Sequence, residues 1–112
     1  MAVTASIPAE TTDGVNGVGW IDRQNPEHYT LQLMTLSRRQ GGVALIGRQR
    51  DGSEYAIYPI QRQGRDLHVL VYGVFSSSQA ARERADNLSG ELAEIQPWVR
   101  RFGTIQGELK RP

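Results

Sequence analysis

The sequence contains no cysteine among its 112 residues, which excludes disulfide bonds, cysteine-ligated zinc and thiol catalysis. It also has almost no net charge, because 13 lysine and arginine residues are balanced by 12 aspartate and glutamate residues. A net charge of +1 creates no strong field that would draw in a polyanion such as nucleic acid. No apolar run approaches the roughly 18 residues of a membrane-spanning helix. A chain of this length predicts one folded domain.

The first segment of the chain, Met1 to Gly19, is rich in threonine, alanine and glycine. It lacks the basic start and apolar stretch of a signal peptide. We expect a flexible leader over residues 1–19 and a folded domain over residues 20–112, with its core at about 28–109. If the domain works outside the cytoplasm, its signal or membrane anchor is then expected in another part of a longer parent protein.

Six segments predict the secondary structure of the domain. Apolar patterning predicts strands over Tyr29–Met34, Tyr55–Ile60, Leu67–Val74 and Trp98–Phe102. Capping signals of the form Ser-x-x-Gln predict helices that begin near Ser37 and Ser76, the second ending near Ser89-Gly90. The resulting order predicts an α+β fold of the split βαβ type (βαββαβ, RNP/ferredoxin-like), a four-stranded antiparallel sheet with two helices on one face.

Gln63 and Gly64 separate the second and third strands and predict a two-residue hairpin turn. The turn fixes the register and places three pairs on one face of the sheet: Ile60 with Leu67, Tyr58 with Val69, and Ala56 with Val71. Pro59 indicates that the second strand is an edge strand or contains a bulge.

The third strand is apolar on both faces, although a small domain usually covers only one face of its sheet. We interpret the second face as a binding platform. An alternative is that Leu67, Val69 and Val71 are covered by the N-terminal Trp20-Ile21 segment, or by a second copy of the chain.

Three stretches of the chain carry a family resemblance. They are His-Tyr-Thr-Leu-Gln-Leu from His28, Val-Leu-Val-Tyr-Gly-Val-Phe-Ser-Ser from Val69 leading into Gln79-Ala80-Ala81, and Pro97-Trp98 with Ile105-Gln106. With them the chain resembles the SPOR family, the sporulation-related-repeat domain of bacterial cell-envelope proteins, of the DamX type.

The resemblance implies a non-catalytic module that binds peptidoglycan glycan strands stripped of their stem peptides. It also implies a periplasmic location at the division septum, reached as part of a larger membrane-anchored protein. Glycan strands are the implied partner, with cell-division proteins as further partners, and neither nucleic acid nor a cofactor is expected.

The resemblance further implies which residues bind the ligand. The ligand face of the DamX type uses a glutamine in the first strand, a small hydroxyl residue just after it, an aromatic residue at the start of the third strand and a tryptophan entering the last strand. The matching positions here are Gln32, Thr35, Leu67 in place of the aromatic residue, and Trp98.

The chemistry of a sugar chain adds further candidates. Its edges carry hydroxyl and amide groups and its ring faces carry apolar C–H groups, so a receptor needs polar side chains beside apolar plates. Thr30 adds a hydroxyl, and Tyr58 and Val69 join Leu67 and Trp98 as plates. Arg100 follows Trp98 on the same strand and could bind the lactyl carboxylate of muramic acid.

The sequence does not indicate an enzyme. His28 and His68 stand alone without a second ligand at metal spacing, and no carboxylate pair is expected on the sugar face for glycoside hydrolysis. Two other functions share the expected fold: RNA recognition on the sheet, and a protein-interaction domain that dimerises through the open face. The first is disfavoured because Leu67–Val74 contains no lysine or arginine and has aliphatic residues where RNA-recognition strands have aromatic ones.

Overall fold

A computed structural model of the chain describes residues 15–49, 54–88 and 90–109. In chain order the elements are α1 (Val18–Asp22), β1 (Tyr29–Leu36), α2 (Arg39–Arg48), β2 (Tyr55–Arg62), β3 (Arg65–Phe75), α3 (Ser78–Asp86), a 3₁₀ helix (Gly90–Glu94), β4 (Trp98–Arg101) and α4 (Phe102–Leu109). The strands pair in the order β2-β3-β1-β4, and every pair is antiparallel. The predicted split βαβ sheet is confirmed.

The hairpin between β2 and β3 has the predicted turn. Gln63 and Gly64 both have positive φ, 55° and 78°, as a two-residue turn of type I′ requires. Ile60 lies opposite Leu67, and the register continues without a shift to Tyr55 opposite Tyr72. The predicted pairing is therefore confirmed, and β2, which contains Pro59, is an edge strand of the sheet.

The two predicted helices, α2 and α3, pack on one face of the sheet over the first core cluster. Its buried members are Val15, Leu31, Leu33, Leu45, Tyr55, Ile57, Leu70, Tyr72, Ala81 and Leu92. At the start of α3 the Ser77 hydroxyl accepts a hydrogen bond of 3.1 Å from the Ala80 N–H, which caps the helix as expected. The capping box predicted at Ser37 is wrong, because α2 begins after Arg38 and has no side-chain cap.

A second core cluster fills much of the other face, where the sequence predicted an open platform. Its buried members are Trp20, Ile21, Ala56, Tyr58, Val69, Val71, Phe102 and Ile105. The helices α1 and α4 supply the covering residues, and the rings of Trp20 and Phe102 meet edge to face with centroids 5.8 Å apart. The open platform is therefore wrong over this area, and the alternative that Trp20-Ile21 folds back over the sheet is confirmed.

Backbone hydrogen bonds fix α4 against the segment that leads into β1. The Phe102 N–H donates to the His28 carbonyl at 2.8 Å, and the Gly103 N–H donates to the Pro26 carbonyl at 2.9 Å. A Cβ atom at position 103 would lie only 2.9 Å from that same Pro26 oxygen, so only glycine allows the close approach. Phe102, predicted as the end of the last strand, is the first residue of α4.

The ordered part of the domain begins before the predicted boundary at residue 20. Val15 is buried in the first cluster, and the Asn16 carbonyl accepts a hydrogen bond of 3.0 Å from the Ile57 N–H. The expected leader over residues 1–19 is thus wrong for residues 15–19, and residues 1–14 lie outside the described part. Ser89, at the predicted end of the second helix, is also outside it, and α3 ends at Asp86. Within the described ranges no helix is long and apolar enough to cross a membrane.

Candidate functional site

A groove with a volume of about 1090 Å³ opens on the second face of the sheet, beside α4. Six of the eight predicted site residues line it: Gln32, Thr35, Tyr58, Val69, Trp98 and Arg100. Of the other two, Leu67 is half-buried and lies opposite Ile60, which does line the groove, and Thr30 is buried. The structure therefore brings most of the predicted site together at one place.

A β-bulge in β1 puts Gln32 and Thr35 on the same face. Residues three apart in a regular strand point to opposite faces, but the register with β3 shifts between Gln32 and Met34. As a result the Gln32 amide nitrogen lies 3.4 Å from the Thr35 hydroxyl oxygen. The same shift turns Met34 toward the first cluster, whereas strict alternation would put it on the same face as Gln32.

Arg100 connects β4, β1 and α4 through its guanidinium group. One amino group donates to the Gln32 side-chain oxygen at 2.8 Å, and the other donates to the Glu108 carboxylate at 2.7 Å. Arginine can only donate, so it fixes the Gln32 amide with its oxygen toward Arg100. The NH₂ group of Gln32 is left toward Thr35 and the groove.

Tyr58 lies beneath this group of side chains and is only 1% exposed. Its buried hydroxyl makes no well-formed hydrogen bond among the described residues, although Arg100 lies close enough to donate a weak one to its oxygen. Burial raises the pKa of Tyr58 to about 12, although the nearby positive charge of Arg100 acts in the opposite direction. The hydroxyl is therefore protonated at neutral pH and is a potential donor next to Arg100.

Trp98 is the most accessible apolar group of the site. It is 69% exposed, and among the described residues it is the single large hydrophobic side chain with such exposure. Its strand pairs with β1 so that Trp98 lies directly opposite Gln32. An indole ring with a free face thus stands beside a polar amide.

Two expectations about the site need correction. Tyr58 and Val69 are only 1% and 2% exposed, too little for a sugar ring to stack on them, so they form the floor of the groove rather than plates. Thr30 is fully buried and its hydroxyl donates to the Tyr72 carbonyl at 3.1 Å, which removes it from the polar set. Asp66, which is not among the predicted site residues, also lines the groove, and its carboxylate accepts a hydrogen bond of 3.0 Å from Gln61.

Glu108 and Leu109 also line the groove, although neither was predicted for the site. They belong to α4, which follows the last strand predicted from the sequence. The spacing of Phe102, Ile105 and Leu109 by three and four residues is the signal that could have revealed an amphipathic helix there.

In the described ranges no three histidine, aspartate or glutamate side chains cluster in a way that could hold a metal ion.

Comparison with known proteins points to one family. Residues 25–101 match the family model of the SPOR domain. The chain is also similar to the cell division protein DamX of Serratia marcescens, with 33% identity over 84 residues. That alignment covers 75% of this chain and 39% of the relative, so the chain spans well under half of that protein's length. The matches confirm the resemblance seen in the sequence, and Glu108 lies beyond the range of the family model.

Proposed function

From the premise that this chain belongs to the SPOR domain family, we propose that it is a non-catalytic module that binds peptidoglycan at glycan strands freed of their stem peptides. In this role it directs its parent protein to the division septum in the periplasm. Cell-division proteins are proposed as further partners.

The observation that carries this proposal is the pairing of an exposed aromatic ring with polar groups at one place. Trp98 is 69% exposed and lies opposite Gln32 in the sheet, and Arg100 follows two residues later on the same strand. The ring can stack on the apolar face of a sugar, while the Gln32 amide donates to an oxygen on its edge.

Arg100 offers a chemical reason for a preference for denuded strands. In intact peptidoglycan the lactyl group of muramic acid is joined to the stem peptide through an amide. An amidase cleaves that amide and leaves a free lactyl carboxylate. A guanidinium group forms charge-assisted hydrogen bonds with a carboxylate, so Arg100 favours the cleaved product, and removal of the peptide also removes bulk from the groove.

The two alternative functions are less well supported by the fold. RNA-recognition domains stack bases on exposed aromatic residues of the sheet, whereas here most apolar residues of β2 and β3 on that face, Tyr58 among them, are packed in one cluster with residues of α1 and α4. The same packing removes most of the apolar face that a second copy of the chain would need.

Co-sedimentation with peptidoglycan sacculi tests the proposed function. We expect the chain to pellet better with sacculi treated with an amidase than with untreated sacculi. Pelleting should then fall when a lytic transglycosylase shortens the strands. Equal pelleting with treated and untreated sacculi would contradict the proposed specificity.

A further inference from the structure

We propose that Glu108 is a specificity-determining residue of the groove. In the free chain its carboxylate forms an ion pair with the Arg100 guanidinium, and the carboxylate of an acidic ligand must displace the Glu108 carboxylate in order to bind Arg100. This inference rests on the proposed function and deepens it. The helix α4, which follows the range matched by the family model, then contributes to the choice of ligand.

The ion pair between Glu108 and Arg100 has the features of a replaceable contact. It consists of one contact of 2.7 Å, and the side chains of Arg100 and Glu108 are 19% and 43% exposed. Partly exposed ion pairs of this kind contribute little to stability. Glu108 also lies in the last turn of α4, where the helix dipole disfavours a negative charge.

The site around Arg100 remains complete when Glu108 leaves. Gln32 continues to hold one side of the guanidinium through its side-chain oxygen. The NH₂ group of Gln32 and the hydroxyl of Tyr58 add two further donors nearby, since Arg100 can only donate to the Tyr58 oxygen and leaves its proton free. Hydrogen-bond donors around a cation form a binding site for a carboxylate. In the free chain that carboxylate is the side chain of Glu108.

Competition by Glu108 affects acidic and neutral ligands differently. A strand with free lactyl carboxylates must displace Glu108 and overcome the repulsion between like charges. A strand whose carboxylates have been made neutral is not repelled by Glu108 and does not need to displace it. Glu108 should therefore weaken binding of the acidic strand alone.

Isothermal titration of the whole chain tests this inference with two preparations of the same denuded glycan strands. One preparation keeps its lactyl carboxylates, and in the other they are converted to carboxamides. Glu108→Gln removes the charge and keeps the size of the side chain. Glu27→Gln is the matched control, since Glu27 forms an exposed ion pair of 3.5 Å with Arg101 and does not line the groove.

We expect Glu108→Gln to bind the carboxylate strands about three- to tenfold more tightly than the unaltered chain. Its affinity for the carboxamide strands should stay within about twofold, and Glu27→Gln should leave both affinities within the same range. Glu108→Ala is the second variant and should behave as Glu108→Gln does, with the fold of each protein checked by circular dichroism.

Three outcomes would overturn the inference while leaving the proposed function intact. Weaker binding by both Glu108 variants would mean that Glu108 positions Arg100, and equal tightening on both preparations would indicate a general charge effect. Unchanged binding would mean that the lactyl carboxylate of the ligand does not reach Arg100. If none of the proteins binds either preparation, the proposed function fails and this inference fails with it.

Discussion

The Arg100 guanidinium donates a 2.8 Å hydrogen bond to the side-chain oxygen of Gln32, which precedes it by 68 residues in the chain. The bond crosses from β4 to β1 and sets the orientation of the Gln32 amide. This single contact thus determines that the NH₂ group of Gln32, and not its oxygen, faces the groove.

Gln32→Ala should weaken binding to denuded glycan strands about fivefold, the loss of roughly one hydrogen bond. Gln32 is half-buried and its side chain contacts the polar side chains of Thr35 and Arg100, so we expect the melting temperature to change little. Gln79→Ala is the control, because Gln79 is an exposed glutamine at the start of α3 and its loss should leave binding unchanged. Titration of both variants measures the difference, and similar affinities would remove Gln32 from the site.

Trp98→Ala should weaken binding by about 2 kcal/mol, roughly thirtyfold, as the loss of an anchoring aromatic residue commonly does. Since the side chain is 69% exposed, unfolding by urea should be almost unaffected. Trp20→Ala provides the contrast, because Trp20 is 8% exposed and its truncation should lower the free energy of unfolding by about 3–5 kcal/mol. A large loss of stability in Trp98→Ala would identify Trp98 as a core residue instead.

The raised pKa of Tyr58, about 12 against an ordinary value of 10.0, predicts a pH dependence of stability. Between pH 10 and 12 an unfolded tyrosine loses its proton while folded Tyr58 keeps it. The unfolded state therefore binds fewer protons in this window, and the free energy of unfolding falls as the pH rises. Tyr58→Phe should remove up to roughly 2 kcal/mol of this decline.

Urea unfolding of the unaltered chain, Tyr58→Phe and the control Tyr29→Phe at pH 8 and pH 11 measures this effect. At pH 8, Tyr58→Phe should stay within about 1 kcal/mol of the unaltered chain, because the buried hydroxyl it removes makes no well-formed hydrogen bond among the described residues. The idea fails if Tyr58→Phe loses stability between the two pH values as steeply as the unaltered chain does.

Leu67→Trp should tighten glycan binding by about 0.5–1.5 kcal/mol, since an aromatic face stacks on sugar C–H groups better than an isobutyl group does. Leu67 is half-buried opposite Ile60 and belongs to neither core cluster, so the larger ring should not strain the interior. Titration and thermal unfolding of the variant check the two effects. A melting temperature several degrees lower with no gain in affinity would show that position 67 does not border the ligand.

Local signals in the sequence were sufficient for the sheet and its hairpin. Gln63-Gly64 has the composition of a type I′ turn, and once the turn is placed, the period of two assigns each residue of β2 and β3 to a face. Gln32, Trp98 and Arg100 could be placed at one site because resemblance and chemistry agreed on the same strands.

The covering of the second face could not be predicted with the same certainty. The segment that forms α4 contains Gly103 and Gly107, which lower its helix propensity, and tertiary contacts with Pro26 and His28 offset this. The bulge in β1 leaves no mark in the pattern of apolar residues. The contact between Glu108 and Arg100 also depends on how α4 packs, which no local pattern of residues specifies.

The most direct test of the proposed function is the ratio of two dissociation constants for the unaltered chain. Purified glycan strands of one length are titrated with their stem peptides attached and after an amidase has removed them. We predict that the denuded strands bind at least about tenfold more tightly, a difference of roughly 1.4 kcal/mol, and that Arg100→Gln abolishes most of this preference, because Arg100 binds the freed carboxylate. Equal affinity for the two preparations, or tighter binding of the strands that keep their peptides, would contradict the account.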